Sequence, residues 1–364
     1  MKLLALKEVD KNEKRVAITP DIVKKYQKIG IEVMVEKSAG LNIGISDKEF
    51  EESGAKIVGD TTKVIGEIDI LVAVQNIEID LSKAKDGLVF PALFNPFIRK
   101  DLAKKIGASK VDAFAMELLP RITRAQSMDV LSSQSNLAGY RAVIDGVYEM
   151  QKAVPMLMTA AGTISAAKFM ILGAGVAGLQ AIATAKRLGG VVCAFDVRTS
   201  AKEQVESLGA KFIEVKSEEK VDGVYAQEMS DDYKKKQQAL LEETIKKQDI
   251  VITTALIPGK KAPTLITKKM VNSMSSGSII IDLAAVNGGN CELTKLGKIV
   301  EVNGVKIVGY ENYPSRVASD CSKLYARNIF NFIEFLVDQK AGKIKVEYDD
   351  EIIKSCLIRN LNKS

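Results

Sequence analysis

The stretch Lys168-Phe-Met-Ile-Leu-Gly173-Ala-Gly175-Val-Ala-Gly178-Leu-Gln180 decides the fold of this chain. Its apolar start predicts a buried strand, its spaced glycines predict a tight turn, and the alanine-rich residues that follow predict a helix. The glycines have the spacing G-x-G-x-x-G, and Asp196 lies at the end of the next predicted strand, about 20 residues further on. This arrangement is typical of a dinucleotide-binding βαβ unit.

Each glycine has a physical task in such a turn. We expect Gly173 to form the tight turn, Gly175 to let a pyrophosphate approach the backbone, and Gly178 to allow close packing of the helix against the strand. The pyrophosphate oxygens would accept hydrogen bonds from amides at the positive end of the helix dipole.

The acidic residue after the second strand predicts the choice of nucleotide. Asp196 can accept hydrogen bonds from an adenosine ribose, and its charge repels a 2′-phosphate, which favours NAD(H) over NADP(H). Arg198 leaves two alternatives open, because it can either accommodate a 2′-phosphate or form a surface salt bridge.

Strands alternate with helices on both sides of this unit, which predicts an α/β fold with mostly parallel sheets. A first α/β domain is expected over roughly the first 125 residues. The nearly apolar stretch 153–185 has the length of a membrane span, but Pro155, Lys168 and four glycines interrupt it. We therefore expect a soluble chain with no direct membrane span.

The composition excludes several classes of function. The chain has 364 residues and no histidine, which excludes Ser-His-Asp sites, His-ligated metals and His general bases. The four cysteines form no C-x-x-C pair, so we expect no metal site and a reduced, cytosolic setting. The net charge of +6 is spread thinly and aromatic residues make up only 5%, so we expect no nucleic-acid binding.

The segment 119–134 has a high density of polar side chains able to make directed hydrogen bonds, and it lies between the two predicted α/β regions, where clefts form. Gln126 and Ser132 are candidates for holding a nicotinamide carboxamide, Asp129 for accepting from ribose hydroxyls, and Arg121 for ordering the loop. An interdomain linker with a capping Asp explains the same residues, and both interpretations stay open here.

Several long runs of sequence match one known family over nearly the whole chain. They are Arg15-Val-Ala-Ile-Thr-Pro20, Pro120-Arg-Ile-Thr-Arg-Ala-Gln-Ser-Met-Asp129, Leu131-Ser-Ser-Gln-Ser-Asn-Leu-Ala-Gly-Tyr-Arg141, Met158-Thr-Ala-Ala-Gly162, Gly175-Val-Ala-Gly-Leu-Gln180, Thr253-Thr-Ala-Leu-Ile-Pro-Gly259 and Pro314-Ser-Arg-Val-Ala318. The chain resembles the soluble NAD(H)-binding alpha subunit of proton-translocating NAD(P) transhydrogenase, of the family shared with alanine dehydrogenase.

The resemblance implies two Rossmann-like or flavodoxin-like parallel-sheet domains joined by helices, and a homodimer. The first domain would cover residues 1–126 and be completed by 312–364, and the NAD(H)-binding domain would cover 127–311. NADH would lie in the cleft, with Arg121, Gln126, Asp129 and Ser132 at its nicotinamide end. The positions that match the adenosine end are Val176, Asp196, Val197 and Leu256.

The resemblance also implies a mobile loop that closes over the nucleotide. Tyr225 matches the tyrosine of that loop, and Gln237 matches a further binding position. Val224 stands where transhydrogenases of the family usually have Gly, which bears on the mobility of the loop. The stretch 282–287 lacks the acidic residue often seen after Asp-Leu-Ala, and no role is assigned to it.

Three functions are compatible with these features. The first is an enzyme that transfers hydride directly from NADH to NADP⁺ on a partner subunit, coupled to proton translocation by membrane subunits. It would lie on the cytoplasmic face of the bacterial inner membrane, in a divided alpha-subunit arrangement. The alternative is an alanine dehydrogenase, but Gln75 and Asn95 replace the Lys and His that such enzymes use. A non-enzymatic regulator would not need the intact segment 121–132.

Overall fold

The computed structural model describes residues 1–77, 79–215, 231–257 and 260–361. The chain divides into two compact units: unit 1 is Met1–Gln134 with Pro314–Ser364, and unit 2 is Ser135–Tyr313. The first boundary lies eight residues and the second two residues C-terminal to the predicted ones. Gln134 belongs to unit 1 because its side chain hydrogen-bonds with Arg15 and with the carbonyl of Cys321.

Unit 1 is built on a six-stranded parallel sheet with the strand order β3-β2-β1-β4-β5-β6. The strands are β1 (Lys2–Ala5), β2 (Glu32–Glu36), β3 (Lys56–Val58), β4 (Ile70–Val72), β5 (Val89–Ala92) and β6 (Asp112–Ala115), and the helices between them are α1 (Pro20–Lys28), α2 (Asp47–Glu52) and α3 (Lys100–Gly107). Pro20 stands in the first turn of α1, and Ser46 and Glu49 form a capping box on α2. Local sequence signals thus set where both helices begin.

Helix α4 (Val130–Glu149) runs from unit 1 into unit 2 and follows a 3-10 helix, Thr123–Met128. A hairpin comes next, formed by β7 (Leu157–Thr159) and β8 (Gly162–Ile164), and all six of its strand residues are exposed. The sequence did not predict this hairpin.

Unit 2 has a seven-stranded sheet in the order β11-β10-β9-β12-β13-β15-β14, in which only β14 is antiparallel. Its strands are β9 (Lys168–Leu172), β10 (Val191–Phe195), β11 (Lys211–Phe212), β12 (Ile250–Thr253), β13 (Ile279–Asp282), β14 (Ile299–Val302) and β15 (Val305–Val308), and its helices after α4 are α5 (Val176–Arg187), α6 (Ala201–Ser207), α7 (Asp231–Ile245) and α8 (Lys268–Ser273). The strand, turn and helix predicted around Gly173 are therefore present. None of the helices described in the structure is long and apolar enough to cross a membrane.

The C-terminal segment returns to unit 1. It comprises α9 (Ala318–Leu336), β16 (Val337–Asp338), β17 (Lys343–Ile344), α10 (Glu351–Cys356) and α11 (Ile358–Leu361). Helix α9 packs Phe330 edge-on against Tyr26 and Phe332 edge-on against Phe114, with ring centroids 5.1 Å apart in both pairs. The segment thus supplies part of the core of unit 1.

Candidate nucleotide-binding site

The glycine turn lies at the point where the strand order of unit 2 reverses. Strand β9 pairs with β10 on one side and with β12 on the other, and the turn follows the carboxyl end of β9. In open α/β sheets this topological switch point is where ligands bind.

The contacts within the turn account for its glycines. Gly173 has a φ of +101°, which only glycine adopts readily, and a Cβ on Gly178 would stand 1.8 Å from the carbonyl oxygen of Gly173. Gly175 is the N-cap of α5, and no atom lies within 4 Å of where its Cβ would be. The first turn of α5 therefore presents its amides beside open space, as an anion site requires.

Asp196 is tied directly to this turn. Its Oδ2 accepts a hydrogen bond of 2.7 Å from the amide of Ala174, and both of its carboxylate oxygens accept from Arg198. Burial by itself raises the pKa of Asp196, but the hydrogen bonds from Arg198 and Ala174 outweigh it and hold the pKa below its usual range. Of the two alternatives for Arg198, the salt bridge is the one present.

Three apolar side chains lie exposed at the same edge of the sheet. Val176 begins α5 after β9, Val197 follows β10, and Leu256 follows β12; their exposed fractions are 43%, 46% and 52%. Because β10, β9 and β12 are neighbours, the residues after their carboxyl ends lie along one edge. Exposed apolar side chains beside a polar anchor are typical of a ligand site.

Asp282 and Asn290 are functional candidates that the sequence did not reveal. The buried carboxylate of Asp282 accepts from the amides of Asn290 and Cys291 at 2.8 and 3.0 Å, as well as from Thr253, Ala284 and Thr294. Asn290 in turn bonds both the amide and the carbonyl of Ala255. These two side chains thus hold the backbone next to Leu256. The Gly-Gly pair before Asn290 was the one local signal of a special turn.

The predicted nicotinamide residues lie in unit 1, around the start of α4. Asp129 accepts hydrogen bonds from the amide and the hydroxyl of Ser132, at 2.9 and 2.5 Å, so it caps α4 as the linker interpretation expects. Each oxygen of Asp129 accepts one of these bonds, which leaves acceptor capacity on the half-buried carboxylate. Arg121 and Gln126 are exposed, and neither side chain has a bond to any described residue.

Unit 1 has its own switch point, between β1 and β4, and buried polar side chains fill it. The guanidinium of Arg15 donates through Nε and one terminal nitrogen to Glu13, and through the other to Gln134. Gln75 also donates to Glu13, at 2.9 Å. Glu8 accepts from the amides of Val74 and Gln75, and burial raises its pKa to about 7.

Three predicted site residues remain, and the structure describes one of them. Gln237 lies half-buried on α7 in unit 2. Val224 and Tyr225 lie outside the described residues, so the predicted loop stays a prediction.

Known proteins with a similar sequence or structure match nearly the whole chain. Residues 4–138 and 142–362 match the N-terminal and C-terminal domains described as alanine dehydrogenase/PNT. An NAD(P) transhydrogenase subunit alpha polypeptide of Rhodospirillum rubrum is 49% identical over 372 residues, which cover 99% of this chain and 97% of that protein. The crystal structure of transhydrogenase from Sinorhizobium meliloti superposes with a TM-score of 0.89 at 47% identity, covering 98% of both chains. Alanine dehydrogenase 1 of Staphylococcus aureus is 29% identical over 93% of this chain and 88% of that protein.

The fold defines a protein of the doubly wound α/β class with a Rossmann strand order in each unit. The chain belongs to the alanine dehydrogenase/PNT family, among its NAD(P) transhydrogenase alpha subunits. Transhydrogenases of this family bind NAD(H) and NADP(H) in their subunits. The predicted family, fold class, enzyme class and cofactors are thereby confirmed at the level of the family.

Proposed function

We propose that this chain is the NAD(H)-binding component of a proton-translocating transhydrogenase. The observation that carries the proposal is the glycine turn at the switch point of unit 2, with Asp196 bonded to its second residue at 2.7 Å. It is supported by the full-length similarity to transhydrogenase alpha subunits. Partner subunits would hold NADP(H) and move the proton, and they would keep this chain on the cytoplasmic face of the bacterial inner membrane.

In this proposal unit 2 holds the adenosine half of NAD(H). The open space at Gly175 and the amides of the first turn of α5 suit the pyrophosphate. Asp196 suits the ribose hydroxyls, while Val176, Val197 and Leu256 suit the flat faces of adenine. Gln237, Val224 and Tyr225 are assigned to the same nucleotide by the family resemblance.

By the family resemblance, the residues for the nicotinamide end belong to unit 1. Bound NADH supplies a hydride, and its direct transfer to a second nicotinamide creates no alkoxide and needs no general base. The protein's task is then to position the ring and exclude water, which a chain without histidine can do. Gln126 is free to hold the carboxamide, Asp129 retains capacity for ribose hydroxyls, and Arg121 and Ser132 complete the segment.

The alternative, an alanine dehydrogenase, would need a cationic pair to bind and polarise a keto acid. Gln75 and Asn95 stand at the corresponding positions, and the amide of Gln75 donates to Glu13. Nearby Arg15 already has Glu13 and Gln134 as partners. We expect neither alanine oxidation nor pyruvate amination by this chain.

We also propose a homodimer, in which the hairpin of β7 and β8 contacts the second copy. An isolated two-stranded hairpin is marginal in water, yet this one exposes apolar side chains, with Leu157 42% and Met158 81% exposed. Burial of these side chains against a second copy would stabilise it.

The nicotinamide assignment is tested by Gln126→Asn and Asp129→Asn, in transhydrogenation reconstituted with the NADP(H)-binding partner. A displacement of the ring by about an ångström costs on the order of 100-fold in rate, so we expect that loss in both variants. NADH affinity, measured by calorimetric titration, should weaken far less because the adenosine contacts are unchanged. Asn at position 129 still caps α4, so the thermal midpoint should stay close to that of the parent chain.

Two results would count against the proposal. Parental rates in both variants would show that segment 121–132 is a capped linker. Alanine oxidation or pyruvate amination by the purified chain would place it with the alanine dehydrogenases instead.

A further inference from the structure

The carboxylate of Asp196 has no free acceptor position. Oδ1 accepts from the backbone amide of Arg198 at 2.8 Å and from its Nε at 2.9 Å. Oδ2 accepts from the amide of Ala174 at 2.7 Å and from a terminal nitrogen of Arg198 at 2.9 Å. A carboxylate offers about four acceptor positions, and here all four are taken.

This saturation conflicts with the ribose contact expected of Asp196. Two of the four donors are backbone amides in the glycine turn and in the turn after β10, and neither can leave without moving those turns. The other two belong to the guanidinium of Arg198, whose side chain is 34% exposed against 6% for that of Asp196. The guanidinium is therefore the group that a ribose hydroxyl can displace.

We propose that Arg198 is a specificity-determining residue that competes for the ribose position of Asp196 and yields it when the nucleotide binds. The inference rests on the proposed binding of NAD(H). It has two consequences, because the guanidinium both competes with the ribose hydroxyls and neutralises the charge that repels a 2′-phosphate.

The two consequences affect the two nucleotides in opposite directions. Once displaced, Arg198 is placed to pair with a 2′-phosphate, and that pairing softens the rejection of NADP(H). Loss of the guanidinium should therefore tighten NADH and weaken NADPH. A partly exposed ion pair corresponds to a factor of about two to five in each affinity, so the ratio of the two should change about tenfold.

The experiment is a calorimetric titration of the full chain with NADH and with NADPH. Arg198→Gln is expected to lower the Kd of NADH and raise that of NADPH. Arg198→Lys keeps the charge but loses the two-nitrogen geometry of the guanidinium. Its ratio of NADH affinity to NADPH affinity should lie between those of Arg198→Gln and the parent chain. The matched control is Lys202→Gln on α6, which removes one positive charge that pairs with Glu214 and not with Asp196, and should leave the ratio unchanged.

Three results would overturn the inference. NADH binding that weakens in Arg198→Gln would mean that the guanidinium contacts the bound nucleotide. An unchanged NADH to NADPH ratio would mean that the ion pair does not take part in selection. No binding of NADH by the parent chain would contradict the proposed function itself, and the inference with it.

A thermal midpoint within a few degrees of the parent chain shows that the variants are folded.

Discussion

The carboxylates of Asp196 and Glu8 lie at the switch points of the two units, and both accept backbone hydrogen bonds. Burial raises the pKa of each, but only Asp196 has a cation bonded to both oxygens, and the net shift of its pKa is downward. In Glu8 the burial prevails over the amides of Val74 and Gln75, and the pKa rises to about 7. The pKa values of the two groups differ because Arg198 bonds Asp196 directly and Asp196 is less buried, whereas Arg15 acts on Glu8 only through its charge.

The raised pKa of Glu8 predicts how stability depends on pH. A folded pKa of about 7, above the ordinary 4.5, means that the folded chain binds more protons than the unfolded chain between these values. The stabilisation by this group is complete below the unfolded pKa and is lost as the pH rises through 7, by at most about 1.4 kcal/mol per unit. Glu8→Gln cannot titrate, so its free energy of unfolding should fall less steeply.

The measurement is urea unfolding at several values between about pH 5 and 8. Some slope should remain in Glu8→Gln, because burial also raises the pKa of Glu117 to about 7. Exposed Glu203→Gln on α6 serves as the control and should keep the parental slope. Identical slopes for Glu8→Gln and the parent chain would mean that Glu8 is ionised in the folded chain near neutral pH.

At the scale of elements, the loops after β12 and β13 are held together by backbone hydrogen bonds around a β-bridge between Ile266 and Cys291, and by one buried side chain. Asn290 is fully buried and bonds the amide and carbonyl of Ala255 and the carbonyl of Pro263. A loop whose backbone bonds are made internally keeps one conformation. The exposed Leu256 thereby has a rigid support.

We expect Asn290→Ala to lower the free energy of unfolding by about 3 kcal/mol, because three backbone groups lose a buried partner. NADH affinity should fall as well, because Leu256 loses its support. Leu256→Ala separates the two effects and should weaken NADH without loss of stability. Asn272→Ala on α8, which removes an exposed bond to Asn303, is the matched control. All three variants are measured by urea unfolding and by NADH titration. A parental NADH affinity in Asn290→Ala would disprove the proposal that Asn290 positions Leu256.

At the scale of the whole molecule, the two units have the same parallel strand order and different switch points. The switch point of unit 2 has the glycine turn with open space at Gly175. The switch point of unit 1 is filled by Arg15, Glu13 and Gln134. The same fold therefore has open space at the switch point where we propose that the nucleotide binds, and buried side chains bonded to one another at the other switch point. Local side chains, and not the strand order, decide the use of a switch point.

The proposed homodimer predicts the effect of a charge in the hairpin. Met158→Asp should make the chain monomeric in light scattering at micromolar concentration, because the dimer would have to bury an unpaired carboxylate. Val9→Asp introduces the same charge at another exposed apolar position, in unit 1, and should leave the mass unchanged. A dimer that persists in Met158→Asp would exclude the hairpin as the contact.

The sequence by itself determined the α/β class and the core of the proposed nucleotide site. Strands buried on both faces appear as continuous apolar runs, as in Ile250–Thr253 and Ile279–Asp282, because no face is left for polar residues. The glycine turn could be predicted for a related reason, since close backbone approach and a positive φ restrict the residue type locally. Asp196 could be predicted from its position at the end of the next strand.

Only the tertiary structure decided which polar side chains already have hydrogen-bond partners within the chain. The pairing of Arg15 with Gln134 joins residues 119 positions apart, and Asn290 reaches back 35 positions to Ala255. Even Arg198, two positions from Asp196, was compatible with either of two roles. Hydrogen-bond partners depend on where the backbone brings donors and acceptors together, and residue type and spacing do not contain that information.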